Sequence, residues 1–442
     1  MKKVILGLVF FISTIPFVQA QTIRIDFERY GGKEFIYLFD KGDKKDTIAT
    51  GTLDAKGKTA LELPKEKKGY AGMSHLLVRD GGTADFIVNK ENLTIYSTEE
   101  QFTPESIKFK DSPENEFLNE RLKTNNALLG KVIMLEYAFS IYKKEDAFYP
   151  ALEKEKEIIN EQLRIKKSNK DQSKLYAAKV TDIYDFLLGA GGSVNQPLEE
   201  KAKEANLFVK EKLDIEALYT SGYWAPVIDS WMQLQQNIIK DDKILLEDTK
   251  QILSRIKDGN VYAAFAEKII LLYTKMGKDD LVNSLTAYVS KSDLLVKPDK
   301  NLRTVLSGPS IGAAAPALQI SKGKKWINKK TVLFFYESGC NNCENEIHQL
   351  IGNYQIIKEK GYEVISVAAD ITNEAGEHSH DFPWAEQLCD YKGFAGPNFQ
   401  NYGIIGTPMF FVIDNKGKIT GRFARLVDTG ILSNAHTMTK QE

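Results

Sequence analysis

The chain has 442 residues, enough for two or three domains with their own cores, and 43% of them are hydrophobic, as in ordinary globular proteins. Its 59 Lys and Arg residues nearly balance its 60 Asp and Glu residues, so the formal net charge is −1. Such a chain has no strong field to attract nucleic acid or an anionic membrane, and neither is predicted as a partner.

The first twenty residues have the pattern of a secretory signal peptide. Two lysines precede an apolar run at 4–18, and Val18-Gln-Ala20 supplies the small-residue ending that a signal peptidase recognises. The run is too short to cross a bilayer comfortably, and no later run is long enough. We therefore predict cleavage after Ala20, export to the periplasm and no stable insertion in the membrane.

Residues 21–103 are predicted to form a β-sandwich accessory domain. The segments with a strand pattern are 22–27, 34–39, 76–78, 86–88 and 93–96. Turn signals separate them, among them Asp54-Ala-Lys-Gly57, and regularly spaced short strands favour a sandwich.

Residues 104–300 are predicted to form an all-α middle domain. Apolar residues recur there at three- and four-residue spacing in the segments 116–142, 150–168, 172–188 and about 199–291. This is the pattern of amphipathic helices that share a core.

Residues 306–442 return to alternating strands and helices. The continuous apolar run at 331–336 is typical of a strand buried on both faces, and a helical segment follows at 343–360. A second strand at 363–369 and a hairpin of strands at 409–413 and 418–423 complete the pattern of a C-terminal α/β domain.

The three cysteines all lie in the last quarter of the chain, as a close pair, Cys340 and Cys343, and the single Cys389. Disulfide exchange needs one thiolate to attack and a second thiol to resolve the mixed disulfide. At the start of a helix, Cys340 would lie where free N–H groups favour negative charge, and Cys343 would lie one turn further in. The spacing therefore favours Cys340 as nucleophile and Cys343 as resolving thiol.

Two other interpretations of the pair stay open. A zinc site would need further ligands, and only Cys389 and the group His378-Ser-His380 could supply them. A purely structural disulfide is the second alternative. The position directly after a buried strand favours the redox interpretation, without a metal or another cofactor.

The segment Phe335-Tyr-Glu-Ser-Gly-Cys-Asn-Asn-Cys-Glu-Asn-Glu346 resembles the active-site stretch of exported thioredoxin-like thiol–disulfide oxidoreductases, the branch that includes the cytochrome c maturation reductases. Gly406-Thr-Pro408 resembles the cis-proline loop of that family, and Ile311-Gly-Ala-Ala-Ala-Pro316 resembles its N-terminal extension. The upstream regions resemble those of multidomain redoxins from Bacteroidetes. The resemblance implies a multidomain chain that ends in a thioredoxin-like domain.

The resemblance also implies roles for individual residues. Pro408 matches the cis-proline that faces the cysteines, and it would leave the backbone of Thr407 free to pair with an extended substrate. Glu346 matches a carboxylate that could accept the proton of Cys343. The family usually has Trp where this chain has Gly339, and often Thr where it has Met409. Protein thiols and disulfides are the implied substrates, and a membrane thiol reductase is the implied electron donor.

Cys389 is predicted to lie in a helix at 384–391 as a buried, unpaired cysteine, with a third redox thiol as the alternative. Two rival functions also stay open. The chain could be a binding or scaffold protein with an incidental cysteine pair. It could also be a peroxidase, although we find no Thr and Arg pattern around Cys340 in the sequence.

Overall fold

The computed structural model describes residues 21–67, 69–169, 174–189, 193–295, 298–372 and 380–433. The predicted signal peptide at 1–20 and the candidate ligand His378 lie outside these residues. The described chain forms two compact units. The first extends to residue 234 but lacks 209–211, and the second consists of 209–211 and the chain from 235 onwards. The division falls inside the predicted helical domain, and the domain boundaries read from the sequence stay a prediction.

The first unit begins with a β-sandwich. Its eight strands are β1 (Thr22–Phe27), β2 (Glu34–Lys41), β3 (Lys44–Thr52), β4 (Lys58–Glu62), β5 (Ala71–Val78), β6 (Gly82–Asn89), β7 (Leu93–Ser97) and β8 (Lys108–Lys110). They form two four-stranded sheets, in the orders β4-β1-β7-β8 and β3-β2-β5-β6. Inward side chains of both sheets, such as Ile25, Phe39 and Phe86, build one apolar core.

Strand β3 was not predicted from the sequence. All of its residues are exposed or only partly buried, so it carries little of the apolar alternation that identifies a strand. Its antiparallel pairing with β2, closed by a tight turn at Gly42, defines it instead.

The helices of the first unit are α1 (Pro113–Ile141), α2 (Tyr149–Asn169), α3 (Tyr176–Leu187), α4 (Leu198–Leu207), α5 (Ile215–Tyr219) and α6 (Trp224–Leu234). Ser112 caps α1 by accepting a hydrogen bond from the N–H of Asn115. The buried carboxylate of Glu114 accepts the N–H groups of Tyr176 and Ala177, the first two residues of α3. These bonds fix α1 and α3 to each other at their starts.

The second unit begins with α7 (Asp242–Arg255), α8 (Gly259–Lys275), α9 (Asp279–Val289) and α10 (Lys300–Ser307). The aspartates Asp241, Asp258 and Asp299 precede α7, α8 and α10 and cap them with their carboxylates. None of the helices in the described part of the chain combines the length and the apolar character needed to cross a membrane.

The α/β domain follows, with β9 (Leu318–Ile320), β10 (Gly323–Lys325), β11 (Thr331–Tyr336), α11 (Asn341–Gly352), α12 (Tyr354–Glu359), β12 (Glu363–Ala368), β13 (Glu386–Cys389), α13 (Pro397–Asn401), β14 (Met409–Ile413) and β15 (Ile419–Phe423). Five strands form one sheet in the order β13-β12-β11-β14-β15. All side chains of β11 are buried, since apolar clusters cover both faces of the sheet. The predicted fold class is thereby confirmed: a β-sandwich, a helical middle region and a C-terminal α/β domain.

The helix predicted at 384–391 is wrong. Residues Glu386–Cys389 form β13, which pairs in parallel with β12 at the edge of the sheet. A four-residue edge strand is too short to show a clear period, and its pairing with a distant strand decides the structure.

Candidate active site

The site is built at the carboxyl ends of β11 and β12. The carboxylate of Asp370, just after β12, accepts hydrogen bonds from Ser338 N at 3.1 Å and Ser338 Oγ at 2.8 Å. Ser338 lies in the turn between β11 and α11. The two bonds therefore fix the turn that precedes the cysteines to the end of β12, the parallel neighbour of β11.

Cys340 lies at the amino end of α11. Gly339 before it has φ = +76°, a left-handed conformation in which any side chain would be strained. Cys340 is the N-cap residue, and its carbonyl accepts the N–H of Glu344 at 2.9 Å. Its side chain is partly exposed, so the thiol is placed where the helix dipole favours a thiolate and where a substrate can reach it.

Cys343 lies one turn further in, with none of its surface exposed. Burial raises the pKa of this thiol to about 12, and its contact with Cys340 acts in the same direction. Hydrogen bonds with the Thr407 side chain and the Glu337 backbone act in the opposite direction. Both cysteines are free thiols in the structure.

The loop before β14 faces the pair. The Thr407–Pro408 peptide bond is cis, and the Thr407 side chain makes the hydrogen bond to Cys343 described above. Three of the residues predicted from the sequence, Cys340, Cys343 and Thr407, therefore lie together, with Pro408 next to them.

A buried arginine lies behind this loop. Nε of Arg422, on β15, donates to Sδ of Met409 at 3.3 Å, and the guanidinium lies over the ring of Phe411. Burial lowers the pKa of Arg422, and Asp279 at the start of α9 opposes that shift. Burial raises the pKa of Asp279 to about 6, and Arg422 counteracts it. These charges link helix α9 to the strand that follows Pro408.

Comparison with known proteins gives matches to the C-terminal region of the chain. Residues 316–422 match the model of the AhpC/TSA family. Two curated relatives, both named thiol-disulfide oxidoreductase ResA, come from Bacillus thuringiensis subsp. konkukian (strain 97-27) and Bacillus cereus (strain ATCC 10987 / NRS 248). Each is 33% identical over 121 residues, which is 25% of this chain and 66% of the relative. The matched part thus spans just under two-thirds of the relatives' length.

The C-terminal region is an AhpC/TSA thioredoxin-like domain. The resemblance read from the sequence is confirmed for this region. Solved structures with similarity include the thioredoxin domain of the thiol-disulfide oxidoreductase BVU-2223 from Bacteroides vulgatus, with 24% identity and a TM-score of 0.24, over 27% of this chain and 93% of that one. Another is a putative thiol:disulfide interchange protein DsbE from Chlorobium tepidum, with 26% identity and a TM-score of 0.23, over 27% of this chain and 89% of that one.

Glu346 of the thioredoxin-like domain has its carboxylate bound away from the thiols. Its Oε2 accepts the N–H of Leu426 at 2.8 Å, and Arg425 is the cation that acts on it. Burial raises the pKa of Glu346, in the direction that an acid–base role requires. The bonds found for Cys343 are with other groups, so a role of Glu346 toward that thiol stays a prediction.

A carboxylate that was not predicted as a site residue binds the turn that leads to Cys340. Oε1 of Glu344, in the first turn of α11, accepts the N–H of Gly339 at 3.2 Å. Its Oε2 lies 2.6 Å from Nε2 of His380. The sequence pointed to His380 only through the group His378-Ser-His380, which was considered for metal binding.

Cys389 lies on the edge strand β13, where it is partly buried. Its Sγ donates to the carbonyl of Asp370 at 3.8 Å, and burial raises its pKa. Asp370 also binds Ser338, so Cys389 contacts the anchor of the cysteine turn. The described residues contain no group of three or more His, Cys, Asp and Glu side chains placed to hold a metal ion.

Proposed function

We propose that this chain is an exported, periplasmic thiol–disulfide oxidoreductase that acts on protein disulfides through Cys340 and Cys343, in the reducing direction. The observation that carries the proposal is the contrast between the two thiols. Cys340 is partly exposed at the amino end of α11, whereas Cys343 is fully buried and bonded to Thr407 of the cis-proline loop.

The reaction follows from this contrast. The thiolate of Cys340 attacks one sulfur of a substrate disulfide, forms a mixed disulfide and releases the other sulfur as a thiolate, which takes up a proton. Cys343 then loses its proton and attacks Sγ of Cys340, which releases the second substrate thiol. The substrate gains two electrons and two protons, and the enzyme ends with a Cys340–Cys343 disulfide. A membrane thiol reductase would return the electrons.

Other residues would position the substrate and move protons. Thr407 and Pro408 are proposed to position the substrate, because the resemblance implies that the Thr407 backbone beside Pro408 pairs with an extended chain. Glu346 is proposed to take part in proton transfer through its raised pKa. We further propose the domain boundaries 21–103, 104–300 and 306–442 for the mature protein, with a signal peptide at 1–20.

The test is the reduction of insulin disulfides by the mature protein in the presence of dithiothreitol. The wild type is expected to accelerate the reaction, and Cys340→Ser is expected to reduce it to the uncatalysed rate because the attacking sulfur is missing. Cys389→Ser is the matched control and should keep the wild-type rate. Hydrogen peroxide consumption, measured alongside, separates this function from a peroxidase. Wild-type turnover by Cys340→Ser would contradict the proposal and favour a binding role.

A further inference from the structure

Glu344 connects the turn before Cys340 to a histidine from a different part of the chain. Its carboxylate accepts the N–H of Gly339 through one oxygen and pairs with His380 through the other. The side chain of Glu344 is 21% exposed and that of His380 is 16% exposed. Solvent therefore screens this pair less than it screens an ion pair on the open surface.

The His380 ring is held from several sides. The ring of His348, on α11 one turn after Glu344, meets it edge-on at 5.7 Å between centroids. The ring of Phe382 lies 5.8 Å away and stacks in turn on Trp384. Besides Glu344, the titratable groups around this arrangement are His348 on α11 and Tyr336 on β11. The Tyr336 hydroxyl interacts electrostatically with Asp370, Cys389, Glu344 and Cys343.

The carboxylate of Glu344 and the amino end of α11 have opposite electrostatic effects on the Cys340 thiol. The amino end of α11 favours a thiolate at Cys340, but a carboxylate in the same first turn repels one. The His380 imidazole meets that carboxylate at one oxygen, while the other oxygen keeps its bond to Gly339. This bond is also a fixed contact for the backbone that leads to Cys340.

We propose that His380 is a positioning residue which acts through Glu344 to set the ionisation and placement of the Cys340 thiol. The proposal rests on the function proposed above and deepens it, because it assigns the control of the nucleophile to a side chain outside the cysteine motif. The contact with His380 holds the Glu344 carboxylate in the turn that leads to Cys340, where its other oxygen binds the N–H of Gly339.

The experiment measures the rate of iodoacetamide alkylation at Cys340 against pH in the reduced mature protein, with peptide mass spectrometry to resolve the site. His380→Gln keeps a polar side chain without the imidazole and is expected to move the midpoint of the profile upward by about half to one pH unit, which slows alkylation near neutral pH about three- to tenfold. Glu344→Gln should move the midpoint downward, and His380→Gln should have little further effect in that background.

His348→Gln is the matched control, since His348 touches the same ring on the same helix face as Glu344. It should leave the midpoint in place. Equal shifts for His348→Gln and His380→Gln, or an unchanged profile for His380→Gln, would overturn the proposal. If His380→Gln does not fold, the Glu344→Gln variant tests the proposal by itself. An unchanged midpoint of the Cys340 alkylation profile in Glu344→Gln would also overturn the proposal. Alkylation of Cys340 does not depend on turnover. A failure of the His380 proposal in this experiment is therefore distinct from a failure of the proposed function in the insulin test.

Discussion

A Cys343→Ser variant is expected to accumulate covalent mixed disulfides between Cys340 and its protein substrates. The first exchange needs only the Cys340 thiolate, but release needs a second sulfur that attacks Sγ of Cys340. A serine hydroxyl at position 343 cannot do this, so turnover should stop after one exchange. Mass spectrometry of adducts separated on non-reducing gels would identify the joined cysteines and, through them, the substrates.

Two further variants control this experiment. Cys340→Ser combined with Cys343→Ser should form no adduct, because no attacking thiol is left in the pair. Cys389→Ser combined with Cys343→Ser should form the same adducts as Cys343→Ser alone. If the adducts instead appeared only when Cys389 was absent, Cys389 would be a resolving thiol, and the assignment of Cys343 would be wrong.

Alkylation of Cys343 in the reduced protein is expected to be slow. Burial raises its pKa well above the ordinary value, so its thiolate fraction near neutral pH is far below that of an ordinary cysteine. Iodoacetamide should therefore label Cys340 first by a wide margin. The rate at Cys343 should keep rising with pH into the alkaline range, because burial raises the pKa of this thiol.

The Thr407→Val variant tests how the hydrogen bond from Thr407 affects the slow alkylation of Cys343. The variant keeps the shape of the side chain but removes the hydrogen bond that lowers the pKa of Cys343. Alkylation of Cys343 should then become slower still, with Cys340 labelled as in the wild type. Labelling of both cysteines at similar rates in the wild type would contradict the burial of Cys343 in the folded protein.

Much of the thioredoxin-like domain could be predicted because its signals are local. The run at 331–336 is apolar throughout since both faces of β11 are covered, and the turn residues at 414–417 mark the hairpin of β14 and β15. The helix after Cys340 also follows from local pattern. The pair, the loop at Thr407 and Pro408, and the strands that carry them are therefore readable from the sequence.

The parts that sequence reasoning missed depend on distant contacts. Glu344 and His380 are 36 positions apart, and no periodicity indicates that they meet. Glu346 has the right spacing for the helix face of Cys343, but Leu426, 80 positions away, binds its carboxylate. Strand β13, which contains Cys389, forms because it pairs with β12, and the residue pattern of its own sequence does not indicate a strand.

The most direct test of the central claim is the redox midpoint of the Cys340–Cys343 pair in the mature protein, by glutathione or dithiothreitol titration with thiol trapping. We expect one reversible two-electron transition, well below about −200 mV for a reductant, that disappears in Cys340→Ser and persists in Cys389→Ser. A midpoint near about −120 mV would contradict the reducing direction. A pair that never forms a disulfide, or that cannot be reduced while the domain stays folded, would contradict the oxidoreductase function itself.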